Sequence, residues 1–126
     1  MTTSMNMLRP SIVLLFTLVL CPAVAQAEGD VARGEKLFAR CSACHSTDGT
    51  RKIGPTLAGV VGRTAATVGN ARFSKALIES EIIWTEETLE EYLSEPKKLV
   101  PGTTMVTRIP DLQDRKDVIS YLKTLN

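Results

Sequence analysis

Beyond residue 27 the chain alternates between stretches whose apolar positions recur at helical spacing and long runs with no periodicity. Residues 30–40 read as a helix with Asp30 as N-cap, its carboxylate placed to accept a first-turn backbone N–H. Gly34 falls inside it at a cost of about 1 kcal/mol relative to alanine, understandable if a second helix crosses there and needs the room. Residues 111–125 offer that partner: Val118, Tyr121 or Leu122, and Leu125 recur at i, i+3/i+4 and i+7 and so share one face. Tyr121 over Gly34 is the expected contact.

Between these two lies a third helix, capped by Thr85 and closed by Pro96. Glu86 and Glu87 occupy the positive end of its dipole, and Trp84 is placed to staple onto Leu89. Ser74 caps a short helix over residues 75–80. The connections 46–72 and 96–110 are rich in Gly, Pro and Thr and lack strand alternation. Loops of that length in a compact domain are functional or are packed on a ligand. The expectation is an all-α fold in which the N- and C-terminal helices cross and further short helices are joined by long loops. No internal repeat, low-complexity tract, P-loop or dinucleotide fingerprint is present.

Residues 1–27 follow a different pattern. Arg9 precedes an apolar run over 12–20, and Ala25-Gln26-Ala27 forms a small-residue cleavage site, the organisation of a secretory signal peptide. Met5 and Met7 are alternative starts. The apolar run is shorter than the roughly 20 residues that span a bilayer, so retention as an uncleaved anchor is the second choice. Cys21 follows Leu20, where a lipoprotein signal has a small residue, and is expected to leave with the signal. Cleavage after Ala27 leaves residues 28–126, a single domain of 99 residues. Its aromatics are Phe38, Phe73, Trp84, Tyr92 and Tyr121, few enough that a large planar apolar cofactor would help fill the core.

One short motif supplies such a cofactor. Cys41-Ser42-Ala43-Cys44-His45 is the attachment pattern of a c-type haem. Thiols at i and i+3 share one face of a helical turn and reach two vinyl groups on one porphyrin edge, while the following imidazole falls under the ring as an axial ligand. A thioredoxin-type pair would stand beside a βαβ pattern, which is missing. A structural zinc site needs four Cys or His ligands, and His45 is the one histidine in the chain. Thioether formation consumes both thiols, which removes the disulfide otherwise expected of an exported pair.

With His45 used, the second axial position falls to a methionine, a lysine or nothing. Met105 is the one methionine left after signal removal. It follows Pro101-Gly102, a pair that favours a type II turn able to swing a side chain inward. A lone methionine in a polar, turn-rich loop is a poor candidate for ordinary core filling.

These residues, with Gly54-Pro55-Thr56-Leu57, Gly62-Arg63, Trp84, Leu89-Glu90-Glu91-Tyr92-Leu93, Pro96-Lys97-Lys98, Pro101-Gly102-Thr103-Thr104-Met105 and Tyr121-Leu122-Lys123, resemble the class I c-type cytochromes of the soluble mitochondrial and bacterial type. The matches are ordered and run from about Gly29 to the end. The resemblance implies the small cytochrome c fold wrapped round one covalent haem. It implies that the Pro55 carbonyl fixes the His45 ring, that Arg63 and Trp84 serve the haem propionates, that Tyr92 lies near the Met105 sulfur and that Thr103 bonds a propionate. Phe73 stands where the family often has a propionate-bonding tyrosine, Leu77 replaces a common polar residue, Thr107 takes the usual place of an aromatic, and Thr104 replaces a frequent lysine.

His/Met ligation closes the coordination sphere and favours reduced iron, so the expected role is outer-sphere electron transfer without enzymatic turnover. The resemblance places the carrier in the bacterial periplasm, between a bc-type complex or dehydrogenase and a terminal oxidase or similar acceptor. The alternatives are a haem subunit of a periplasmic dehydrogenase, and a peroxidase or gas sensor with a labile Met105. Charge refines the partner. The predicted mature chain has 14 bases and 14 acids, but residues 33–75 hold eight bases against Glu35 and Asp48, and residues 79–95 hold seven glutamates and no base. Opposed patches orient an encounter. A monomer docking weakly on acidic redox partners, with no nucleic-acid role, is expected.

Overall fold

The computed structural model describes residues 1–2, 28–69 and 71–125. The expected signal segment, Cys21 included, lies outside the described residues apart from its first two. The described chain forms α1 (Val31–Phe38), α2 (Lys75–Ser80), α3 (Glu86–Ser94), α4 (Pro96–Leu99) and α5 (Leu112–Lys123). Among the described residues there is no strand, and one isolated antiparallel bridge joins Thr64 to Ile83. The all-α expectation holds.

Local chemistry starts each of the longer helices. Asp30 accepts from the Arg33 N–H at 3.0 Å and Ser74 from that of Leu77 at 3.1 Å. Thr85 and Thr88 exchange bonds in a capping box, and Asp111 accepts from the Asp114 N–H at 2.8 Å. α1 stops at Phe38, two residues short of the expected end, because the chain then tightens into turns. Pro96 does more than close α3. It also opens α4 as its first residue, where a missing N–H costs nothing and the fixed φ suits a helix.

α1 and α5 cross at Gly34. A Cβ there would sit 2.0 Å from the Asp117 carbonyl oxygen and 3.0 Å from Tyr121 Cβ. Tyr121 does adjoin the glycine, but the closest approach is backbone to backbone; the Tyr121 ring packs on Phe38 at 5.4 Å between centroids. The crossing carries a buried polar clasp. Asp117, only 1% exposed, accepts from the Asp30 N–H at 2.8 Å, the Gln113 amide at 2.9 Å and the Arg33 guanidinium. Burial pushes its pKa up, yet these three donors outweigh that and hold it below the usual carboxylate range.

α5 is tied to α3 by Arg115. Its guanidinium donates to Glu90 at 2.9 and 3.1 Å, and to the Ile109 and Pro110 carbonyls at 2.8 and 2.7 Å. Five donors in a rigid fork can thus satisfy a loop and a helix at once. Leu89, Tyr92 and Leu93 of α3 meet Val118, Ile119 and Leu122 of α5 in one core. That core frames one side of a hollow.

Candidate functional site

The chain after α1 winds through consecutive turns. Cys41 N–H donates to the Phe38 carbonyl at 2.7 Å, and the Cys44 and His45 N–H groups both donate to the Cys41 carbonyl, at 3.0 and 2.9 Å. One helix-like turn therefore presents both thiols and carries His45 behind them. Cys41 is half-buried and Cys44 exposed, and burial raises the Cys41 thiol pKa.

His45 is fixed from outside. Its Nδ1 lies 2.7 Å from the Pro55 carbonyl oxygen, so Nδ1 carries the proton and Nε2 keeps its lone pair for a metal. The Gly54 N–H donates to the Cys44 carbonyl at 2.8 Å and draws that loop across the imidazole. Gly54 must be glycine for this, because a Cβ would lie 2.7 Å from His45 Cε1.

Cys41, His45, Pro55, Arg63, Trp84, Tyr92 and Met105 all line one cavity. Phe38, Leu57, Val60, Leu89, Leu93, Val118 and Leu122 complete its largely apolar wall. A second recess, the cavity's mouth, shares Cys41, His45, Pro55, Phe73, Leu77 and Met105 with it and adds Cys44 and Thr103. Every residue expected from the sequence to hold the cofactor lines one of the two. The remaining wall residues are distant in sequence; only the Val118 and Leu122 face of α5 was visible as periodicity.

One edge of the cavity is built by Arg63 and Trp84. Their loops are stitched together by Gly62 N–H to the Trp84 carbonyl at 2.8 Å and Trp84 N–H to the Arg63 carbonyl at 2.9 Å. The Arg63 guanidinium donates to the Thr56 and Ala58 carbonyls, each at 2.8 Å, and burial lowers its pKa. The Trp84 and Tyr92 rings are 4.9 Å apart. Ala66, also on the wall, holds a left-handed φ of +58°.

Met105 is placed by a short relay. Val100 to Thr103 form a turn closed at 3.0 Å with φ +97° at Gly102, as a type II turn requires. Thr103 Oγ1, buried, lies 2.6 Å from the Tyr92 hydroxyl and accepts from the Met105 N–H at 3.4 Å. Burial raises the Tyr92 phenol pKa, against the lowering effect of Thr103. The donor set therefore fits a haem c. Two thiols stand three residues apart at the rim, and an imidazole with a free Nε2 shares a largely apolar cavity with a thioether.

The family profile described as cytochrome c matches residues 31–126. A cytochrome c of Euglena viridis is 46% identical over 100 residues, covering 77% of this chain and 98% of the relative. A cytochrome c2 of Blastochloris viridis is 40% identical over 115 residues, covering 89% of this chain and 90% of the relative. Among solved structures, cytochrome cH from Methylobacterium extorquens matches with a TM-score of 0.72 at 47% identity, over 76% of this chain and 99% of that one.

Proposed function

This chain belongs to the cytochrome c family, and from that premise we propose that it is a one-electron carrier with His45 and Met105 as axial ligands. It carries one haem c, attached through Cys41 and Cys44. The observation that carries the proposal is that His45, held at Nδ1 by Pro55, shares an apolar chamber with Met105. Bound there, the haem supplies an iron that alternates between ferric and ferrous states.

The chain's own residues make that exchange easy. Pro55 keeps the imidazole in the ligating tautomer, and the Tyr92–Thr103 pair fixes the start of the Met105 loop. Both restraints keep the ligands nearly still between oxidation states. Apolar walls exclude water, and Arg63 and Trp84 on the cavity wall would offer the haem carboxylates a cation and a donor. Thr103, on the second recess, would offer them a hydroxyl.

At the mouth, Ile53 and Val106 are exposed beside Arg40 and Arg72. An apolar patch with cations around it suits an acidic redox partner and a weak, salt-sensitive encounter. The motif in residues 1–27 supports export to the periplasm with cleavage after Ala27, and no described helix is long and apolar enough to cross a membrane. Electrons then arrive from a bc-type complex or dehydrogenase and leave to a terminal oxidase or similar acceptor.

The test is the optical spectrum of the haem-loaded protein. The weak red charge-transfer band of methionine sulfur on ferric iron is expected in the wild type and absent in Met105→Ala. A wild type that lacks the band and binds carbon monoxide readily when reduced refutes the closed site.

A further inference from the structure

The mouth of the cavity is an exposed apolar patch with charges beside it. Another lies at the corner formed by residues 78–83. Ile78 is 56% and Ile83 53% exposed, and the intervening Glu79 and Glu81 are exposed as well. The corner is structured: α2 ends at Ser80, Glu81 turns the chain with φ +50°, and Ile83 pairs with Thr64. Part of its charge is unspent. Glu81 has no ion-pair partner among the described residues, and Glu79 reaches Lys75 only at 3.5 Å across two exposed side chains. Glu86 and Glu87 stand just beyond, in the first turn of α3; Glu86 is paired with Lys123 at 2.6 Å, and Glu87 has no ion-pair partner among the described residues.

The mouth has the same construction with the opposite sign. Ile53 is 81% and Val106 74% exposed. Arg40 and Arg72 share the recess with them, and Lys97 and Arg108 line an adjoining one beside Met105. Arg40, Arg72 and Arg108 have no ion-pair partner among the described residues. Aliphatic pairs flanked by opposite charges complement one another, and a predicted mature chain with 14 bases and 14 acids has little self-repulsion to oppose their meeting.

We propose that the corner at residues 78–83 docks the cavity-mouth face of a second copy of this chain, so that copies associate weakly, head to tail. The two surfaces differ, so the contact is heterologous: each copy donates one face and accepts on the other. Occupation of a mouth by a neighbouring corner competes with any acidic redox partner for the same cations. Self-association requires only the two surfaces, whatever that partner is.

Sedimentation of the haem-loaded protein tests it, with the haem spectrum and circular dichroism verifying that each variant is folded. At about 10 mM salt, where charges act over roughly 30 Å, the average mass rises with concentration, and near 1 M salt it does not. Ile78→Ser with Glu79→Lys removes one face, and Ile53→Ser with Val106→Ser removes the other. Each double variant alone raises the association Kd by more than about tenfold. Mixed, they form a 1:1 dimer and nothing larger, because each still carries the face the other lacks. A wild type that stays monomeric at low salt overturns the proposal. So does a double variant that associates like the wild type, or a mixture that remains monomeric.

Discussion

Gly34→Ala gives the sharpest test of how the fold is held, because local and tertiary physics predict opposite signs. Helix propensity alone makes the substitution stabilising by about 1 kcal/mol. The structure places the new Cβ 2.0 Å from the Asp117 carbonyl oxygen and 2.6 Å from its carbon. Ordinary contact of carbon with a carbonyl oxygen is about 3.3 Å or more, so the helices must separate by over ~1 Å at the crossing. No rotamer relieves the clash, since the obstructing atoms are backbone. Separation loosens the Phe38–Tyr121 contact, the packing of Val118 and the three bonds to Asp117. Overpacking costs typically 1–3 kcal/mol, and a backbone clash belongs at the upper end. Subtracting the propensity gain leaves a net loss of about 2 kcal/mol. For a domain of this size that lowers Tm by roughly 8–16 °C. Thermal and urea unfolding of the haem-loaded protein, followed by far-ultraviolet circular dichroism, reads the change. An unchanged or higher Tm for Gly34→Ala would refute the close crossing.

Three further substitutions probe the clasp and the site. Asp117 has its folded pKa held below the unfolded value of about 3.9, so its stabilisation is complete above that pH and is lost as pH falls through the folded value. Asp117→Asn is expected to lose about 1–3 kcal/mol at pH 7 and to show a flatter acid limb in urea titrations between pH 2 and about 5; limbs of equal slope count against the argument. Gly54→Ala is expected to displace the His45 imidazole, lowering Tm and altering the haem spectrum, and an unaltered spectrum with an unaltered Tm contradicts the close approach. Tyr92→Phe strips Thr103 of its buried 2.6 Å partner. We expect a loss of about 1–2 kcal/mol and a methionine band that disappears at lower pH than in the wild type, whereas an identical pH titration shows that the relay does not position Met105.

Much of this was legible locally. Capping by Asp30, Ser74 and Thr85 depends on side chains bonding N–H groups three residues away, so the chain announces its helix starts. The Pro101-Gly102 turn follows from two residues' allowed φ. Gly34 was legible as a crossing because nothing within its own helix explains it, but the atom that demands it was not. That atom is a carbonyl 83 residues along the chain, and a carbonyl has no sequence signature. α4 was hidden because the same proline that stops one helix starts the next. Arg63 was expected only at the cofactor, whereas two of its donors also hold the Thr56 and Ala58 carbonyls.

What the sequence determined by itself is the chemistry. Cys41, Cys44 and His45 lie within five residues, and one turn of backbone suffices to present them together. By elimination it also left Met105 as the candidate soft ligand. What only the tertiary structure decided is placement. Met105 reaches the chamber of His45 through a turn anchored on α3 by Tyr92. Asp117 and Arg115 are buried because Asp30 lies 87 residues away and Glu90 25 residues away, and each supplies the missing partner. Long-range polar pairing depends on where helices cross, and that follows from packing the whole core around one cavity.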